Sequence, residues 1–157
     1  MTAVATKTAE KPEIKTTLQA TTKPAKKAKQ KPGAHHEKRR RMGQRGEDLA
    51  CDFLVRQGMK ILDRNWRCGY GEADIIALDD STLVFCEVKT RTNEKMGSPI
   101  DAITKKKVER YIKLVNVYRS RCTVRHTSLR VDFIGLLVDE QKGRARLHYV
   151  RDINASS

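Results

Sequence analysis

The stretch from Tyr70 to Arg91, YGEADIIALDDSTLVFCEVKTR, constrains this chain more than any other. Two runs rich in Ile, Val, Leu and Phe flank a short polar break, Asp79-Asp80-Ser81-Thr82. Apolar runs around turn formers predict a β-hairpin. If Asp80-Ser81 is the loop, or if Asp79 to Thr82 turns symmetrically, Asp74 falls opposite Glu87 and Glu72 opposite Lys89. Side chains alternate along a strand, so these four share a face with Ile76, Leu78, Leu83 and Phe85. The other face, Ala73, Ile75, Ala77, Val84, Cys86 and Val88, is wholly apolar and expected to be buried. The carboxylate face is then the one that opens to something polar at its far end.

Two carboxylates directly across a ladder repel each other. A divalent cation is the simplest compensation, because Mg²⁺ is held by one or two carboxylates with water and phosphate oxygens. Lys89 would lie near that ion, placed to hold a water or to stabilise a phosphate. An aspartate on one strand and Glu-x-Lys on the next is thus an arrangement suited to metal-dependent phosphodiester cleavage. The same spacing equally allows a Glu72–Lys89 salt bridge with Asp74 capping a turn.

Asp74 with Glu87-Val88-Lys89 resembles the active-site signature of the PD-(D/E)XK, or restriction-endonuclease-like, nuclease superfamily. The wider ordered set is Gly43-Gln44-Arg45-Gly46-Glu47, Arg64-Asn65, Gly71-Glu72-Ala73-Asp74 and Glu87-Val88-Lys89-Thr90-Arg91. It resembles the bacterial YraN-like family, a relative of archaeal Holliday-junction resolvases. The resemblance runs from about Met42 to the C-terminus, and Ala73 departs from it where the superfamily name has proline. It implies a restriction-endonuclease-like core of class α/β, a mixed central sheet flanked by helices. It also implies Mg²⁺ or Mn²⁺ held by Asp74, Glu87 and the Val88 carbonyl, with Glu47 joining directly or through water, and catalysis by Glu47, Asp74, Glu87 and Lys89. A homodimer is implied by the resolvase resemblance alone.

Charge points to a polyanion. Residues 1–41 hold 12 of the 33 Lys and Arg and 3 of the 19 Asp and Glu, a local charge of +9, and the remainder carries +5 of the total +14. Both parts favour nucleic acid, and the nuclease resemblance implies DNA. The tail, residues 1–41, is rich in Lys, Ala, Thr and Pro, with Val4, Ile14 and Leu18 as its sizeable aliphatics. It is expected to be disordered, because it cannot bury enough apolar surface to offset its ordering entropy. The domain is expected to span 42–157.

Met42 to Gln57 reads as a helix stopped by Gly58, with Leu49, Ala50, Phe53 and Leu54 as its apolar stripe and Glu47 at the stripe's edge. A surface acid favoured by the helix dipole explains Glu47 equally well from local physics. Met59 to Arg67 reads as a strand. Ser98-Pro99 opens a second helix running to about Tyr118. Leu129 to Val138, nearly continuous in apolar residues, reads as a central strand broken by Asp132, for which a hydrogen-bonded structural role is expected. Ala145 to Arg151 reads as the last strand. Arg91, Lys106, Arg110, Lys113 and Arg64 are the expected nucleic-acid contacts.

Cys51, Cys68, Cys86 and Cys122 lack zinc-site spacing, and reduced thiols in a cytoplasmic protein are expected. No apolar run approaches a membrane span. A competing reading is a non-catalytic nucleic-acid-binding module with a vestigial site. It predicts metal-independent binding that weakens steeply with salt.

Overall fold

The computed structural model describes residues 13–19, 33–92 and 105–153. In chain order the elements are β1 (Glu13–Gln19), α1 (Ala34–Arg56), β2 (Lys60–Cys68), β3 (Gly71–Asp79), β4 (Thr82–Arg91), α2 (Lys105–Arg121), β5 (Ser128–Asp139) and β6 (Arg144–Val150). The strands form one sheet in the order β1-β6-β5-β4-β3-β2. All neighbours are antiparallel except β4 and β5, which run parallel with α2 as their crossover. A mixed sheet flanked by helices is the expected α/β class. Nearly continuous apolar strands lie inside such sheets, covered on both faces, and β5 is accordingly one of the two middle strands.

The hairpin takes the expected register. Ile75 pairs with Cys86 and Asp79 with Thr82 around the two-residue loop Asp80-Ser81. Asp80 has φ 51°, as a tight turn of this kind requires. The loop is fastened from outside, since Thr127 donates its backbone N–H to the Ser81 carbonyl at 2.8 Å.

Helices cover both faces of the sheet. On one, Ala50, Phe53 and Leu54 of α1 pack on Ile75, Ala77, Val84, Cys86 and Val88. On the other, Tyr111, Leu114, Val115 and Tyr118 of α2 pack on Ile76, Leu83 and Phe85. Each such aliphatic or aromatic side chain contributes roughly 1.5–3 kcal/mol when fully buried. The carboxylate-bearing face is therefore roofed by α2 rather than open along its length. Gly58, with φ 88°, ends α1 as expected, and Met59 returns its N–H to the Leu54 carbonyl. Trp66 packs edge-on to Tyr118 in the α2 layer.

Three expectations change. Within residues 1–41, expected to be disordered, the segment Glu13–Gln19 forms β1, paired to β6 from Glu13↔Val150 to Gln19↔Arg144. An edge strand offers a row of unpaired backbone groups, and β1 joins β6 through its main chain. α1 begins at Ala34 rather than Met42, so the 41/42 boundary falls within a continuous helix. Ala73 leaves its expected face and packs with Ile76, Leu83 and Phe85, because strand alternation breaks beside it, as described below. Residues 1–12 and 20–32, and the Ser98-Pro99 helix start, lie outside the described residues.

Asp132 takes the expected structural role. Fully buried, it accepts hydrogen bonds from Arg130 Nε at 2.9 and 3.1 Å, from the Tyr149 hydroxyl at 2.5 Å and from the Asp152 N–H at 2.8 Å. Arg130 and Arg151 both continue to Asp79, so every charge in the cluster is matched. All four cysteines are free thiols, Cys51 and Cys86 buried and Cys68 and Cys122 half-buried. Among the described residues, no helix is long and apolar enough to cross a membrane.

Candidate active site

The acids meet where the central hairpin loses its regularity. The β3–β4 ladder ends at Ile75↔Cys86, one residue short of Asp74. Beyond it, Val88 gives its N–H to Asp74 Oδ2 at 2.7 Å instead of to a backbone carbonyl. Within an antiparallel ladder, the N–H and C=O of one residue face the same neighbour. The Val88 carbonyl therefore faces the β3 side too, past the ladder's end.

Asp74 is half-buried, and its carboxyl is pushed up to about 7. Burial is the main cause, and the charge of Glu87 is the next. The Val88 N–H partly offsets them, while Glu47 and Glu72 add to the rise. The expected repulsion between Asp74 and Glu87 is thus present, although a side chain–backbone bond replaces the ladder pairing at Asp74.

Glu87 accepts a hydrogen bond from the Tyr111 hydroxyl at 2.6 Å. Tyr111 is buried in the α2 layer, and burial followed by the Glu87 charge drives its own proton affinity upward, so the phenol stays a donor. Lys89, two residues on, is exposed and makes no ion pair among the described residues. Glu72 does not meet it. Instead Glu72 pairs with Arg67 of β2 at 2.9 Å, since the hairpin has opened by then and Arg67 is its register partner.

Glu47 is half-buried on α1 and accepts a hydrogen bond from Asn65 Nδ2 at 2.9 Å. α1 reaches this end of the sheet because its preceding residue is Gly46. A Cβ there would lie 1.8 Å from Thr90 Oγ1 and 3.3 Å from Leu136 Cδ1. Glycine permits the helix to touch β4 directly.

The expected polyanion contacts are spread around these acids. Arg64 pairs with Asp48 at 2.6 Å on the exposed rim of α1 and β2. Arg110 is exposed and crosses over Gly71, its Nε 3.4 Å from where a Cβ would stand. Gly71 has φ 135°, so the backbone favours glycine there, while a Cβ would make only ordinary contact with the Arg110 side chain. Lys113 is exposed and Arg91 half-buried, while the Lys106 side chain lies outside the described residues.

Asn65, Tyr111 and Gly46 were not among the expected site residues. Apolar periodicity registers Tyr111 as a core ring and is blind to its hydroxyl. Asn65 stood in the Arg64-Asn65 pair, but nothing in a linear string tells that its amide reaches α1.

The donor set suits a hard divalent cation. It offers two crowded carboxylates, one of them reluctant to ionise, and a carbonyl outside the ladder, all oxygen ligands. Among the described residues, no three His, Cys, Asp or Glu side chains form a group that could hold a metal ion. The chain would therefore supply two carboxylates and leave positions for water and substrate.

Comparison with known proteins matches residues 46–136 to a family described as Uncharacterised protein family UPF0102. A UPF0102 protein of Arthrobacter sp. strain FB24 is 41% identical over 112 residues, which cover 71% of this chain and 94% of that protein. One from Mycobacterium avium strain 104 is 46% identical over 103 residues, covering 64% of this chain and 80% of the relative. The Mycobacterium tuberculosis strain H37Rv relative is 44% identical over 99 residues, covering 62% and 77%.

Proposed function

The chain belongs to the UPF0102 family, and we propose that it is a metal-dependent nuclease of the PD-(D/E)XK kind, hydrolysing phosphodiester bonds in DNA, branched DNA among its candidate substrates. One observation carries this reading. Asp74 and Glu87 are crowded together at the end of the hairpin, and Lys89 stands exposed two residues beyond. A fold tolerates such repulsion where a ligand relieves it, and perturbed carboxyls of this kind cluster at functional sites.

Asp74, Glu87 and the Val88 carbonyl would hold Mg²⁺ or Mn²⁺, which when bound supplies a lowered water pKa and neutralises charge developing on the phosphate. Val88 fixes the Asp74 carboxylate by its N–H, and Tyr111 fixes Glu87 by its hydroxyl. Lys89 orients the attacking water and stabilises the developing charge. Arg110 and Lys113 of α2 take flanking phosphates, which sets register without reading sequence. The basic surplus outside the site raises affinity for the polyanion, as in the binding-module reading. The intact Asp-Glu-Lys set is what favours chemistry over binding alone.

The test is cleavage of labelled single-stranded, duplex, flapped and four-way-junction DNA with Mg²⁺, Mn²⁺, Ca²⁺ or EDTA. Cleavage is expected with Mg²⁺ or Mn²⁺ and lost in EDTA, in Lys89→Ala and in Asp74→Asn. Metal-independent binding without cleavage would leave the binding module standing. Parental cleavage by Lys89→Ala would remove this site from the chemistry.

A further inference from the structure

β2 has a bulge between Ile61 and Asp63, and Asn65 is its one residue with a left-handed backbone. Its φ is 51°, in the left-handed region, although its neighbours are paired with β3. Register partners Arg64↔Ile75 and Trp66↔Ala73 bracket it, so it lies opposite Asp74, and neither enters the ladder. Asparagine tolerates this region better than most residues, yet such departures persist only where the surroundings hold them, and they gather at functional sites.

The departure has a visible product. In a regular strand, consecutive side chains point to opposite faces. Here Arg64 and Asn65 both reach α1, and they grip consecutive acids. Arg64 Nη2 bonds Asp48 at 2.6 Å, and Asn65 Nδ2 bonds Glu47 at 2.9 Å. The left-handed turn is what allows two adjacent side chains to serve one helix. The chemistry of the second grip matters. An arginine neutralises the acid it holds. A carboxylate accepts only, so it is the NH₂ of the amide that faces Glu47, and the neutral amide places no countercharge beside it. Asn65 stands opposite Asp74 across β2 and β3, so the residue it holds lies on the Asp74 side of α1, and Glu47 adds to the rise of the Asp74 carboxyl.

We propose that Asn65 is a positioning residue that holds Glu47 of α1 toward the Asp74–Glu87 pair, so that Glu47, outside the direct ligand set, strengthens cation binding at the hairpin's end through water. This rests on the nuclease reading above and adds to it the device that recruits α1. The Asn65 amide touches neither cation nor substrate. It acts through Glu47.

The experiment measures Mn²⁺ affinity by isothermal titration calorimetry, with melting temperature, for the full chain and for Asn65→Gly, Glu47→Gln, Asp74→Asn and the Asn65→Gly/Glu47→Gln double variant. Glycine adopts the left-handed region without steric cost, so Asn65→Gly removes the amide and keeps the backbone. Partners that orient metal ligands typically cost 10–100-fold in affinity when removed. Asn65→Gly is expected to weaken Mn²⁺ binding by about tenfold or more, with melting temperature unchanged or higher. Glu47→Gln is expected to do the same, and the double variant to lose no more than Glu47→Gln alone. Parental affinity in Asn65→Gly overturns the proposal, as do losses that multiply in the double variant. Should Asn65→Gly fail to fold, Glu47→Gln decides, because it leaves the β2 backbone untouched and parental affinity there also overturns the proposal. If the parental chain binds no Mn²⁺, or Asp74→Asn binds it equally well, the metal reading falls and this inference falls with it.

Discussion

Asp74 holds its proton more tightly in the folded chain than an ordinary carboxyl, at about 7 against 3.8. The unfolded chain releases that proton first, so stability from this group is present below 3.8 and is lost as pH rises to about 7, then levels off. Asp74→Asn removes the penalty while leaving an oxygen to accept the Val88 N–H. The variant is expected to be more stable than the parent by about 1–2 kcal/mol at pH 8, the gain shrinking toward zero near pH 4. Urea titrations at the two pH values measure it. A saturating divalent cation should shrink the difference at pH 8 by stabilising the parent alone. A site at which losing a carboxylate strengthens the fold is one shaped by something other than stability.

At the scale of elements, the decisive contact is α1 against β4, and it hangs on a missing methyl group. Gly46→Ala would drive a Cβ into Thr90, and overpacking of this kind costs about 1–3 kcal/mol. Gly43, in the same helix, has nothing within 4 Å of where its Cβ would be. Gly43→Ala is expected to stabilise by about 0.5–1 kcal/mol, so two identical substitutions in one helix should shift the denaturation midpoint in opposite directions. Thr90→Ala added to Gly46→Ala should recover part of the loss, since Thr90 Cβ still stands 3.1 Å away. The elements themselves were largely legible. Alternation around a two-residue turn placed the hairpin register, the apolar stripe placed α1, and the run around Ile134 placed β5. β1 was not legible, because its short alternation, Ile14, Thr16 and Leu18, is weak and sits within a polar, Lys-rich stretch. The loss of alternation at Asn65 and Asp74 was not legible either. Periodicity reports where side chains alternate, and this site forms where they cease to.

On the scale of the whole molecule, the sheet joins a local half to a distant one. β2, β3 and β4 follow one another along the chain and pair as neighbours. β4 then pairs in parallel with β5, from Thr82↔Ser128 to Arg91↔Leu137, across the whole of α2. Pairings so far apart in sequence form late, because loop-closure entropy comes before the contacts that reward it. The three-strand meander can therefore assemble with Asp74 and Glu87 still in water, where their repulsion is weak. Docking of α2 and β5 takes the pair out of solvent and brings on the repulsion afterwards. Relief of the charge in Asp74→Asn should then appear at pH 8 as slower unfolding with little change in refolding rate, read from the two arms of a chevron plot. The acids that define this chain's chemistry are, in that sense, a toll collected at the end of folding, and they govern how long the native state lasts more than how quickly it is reached.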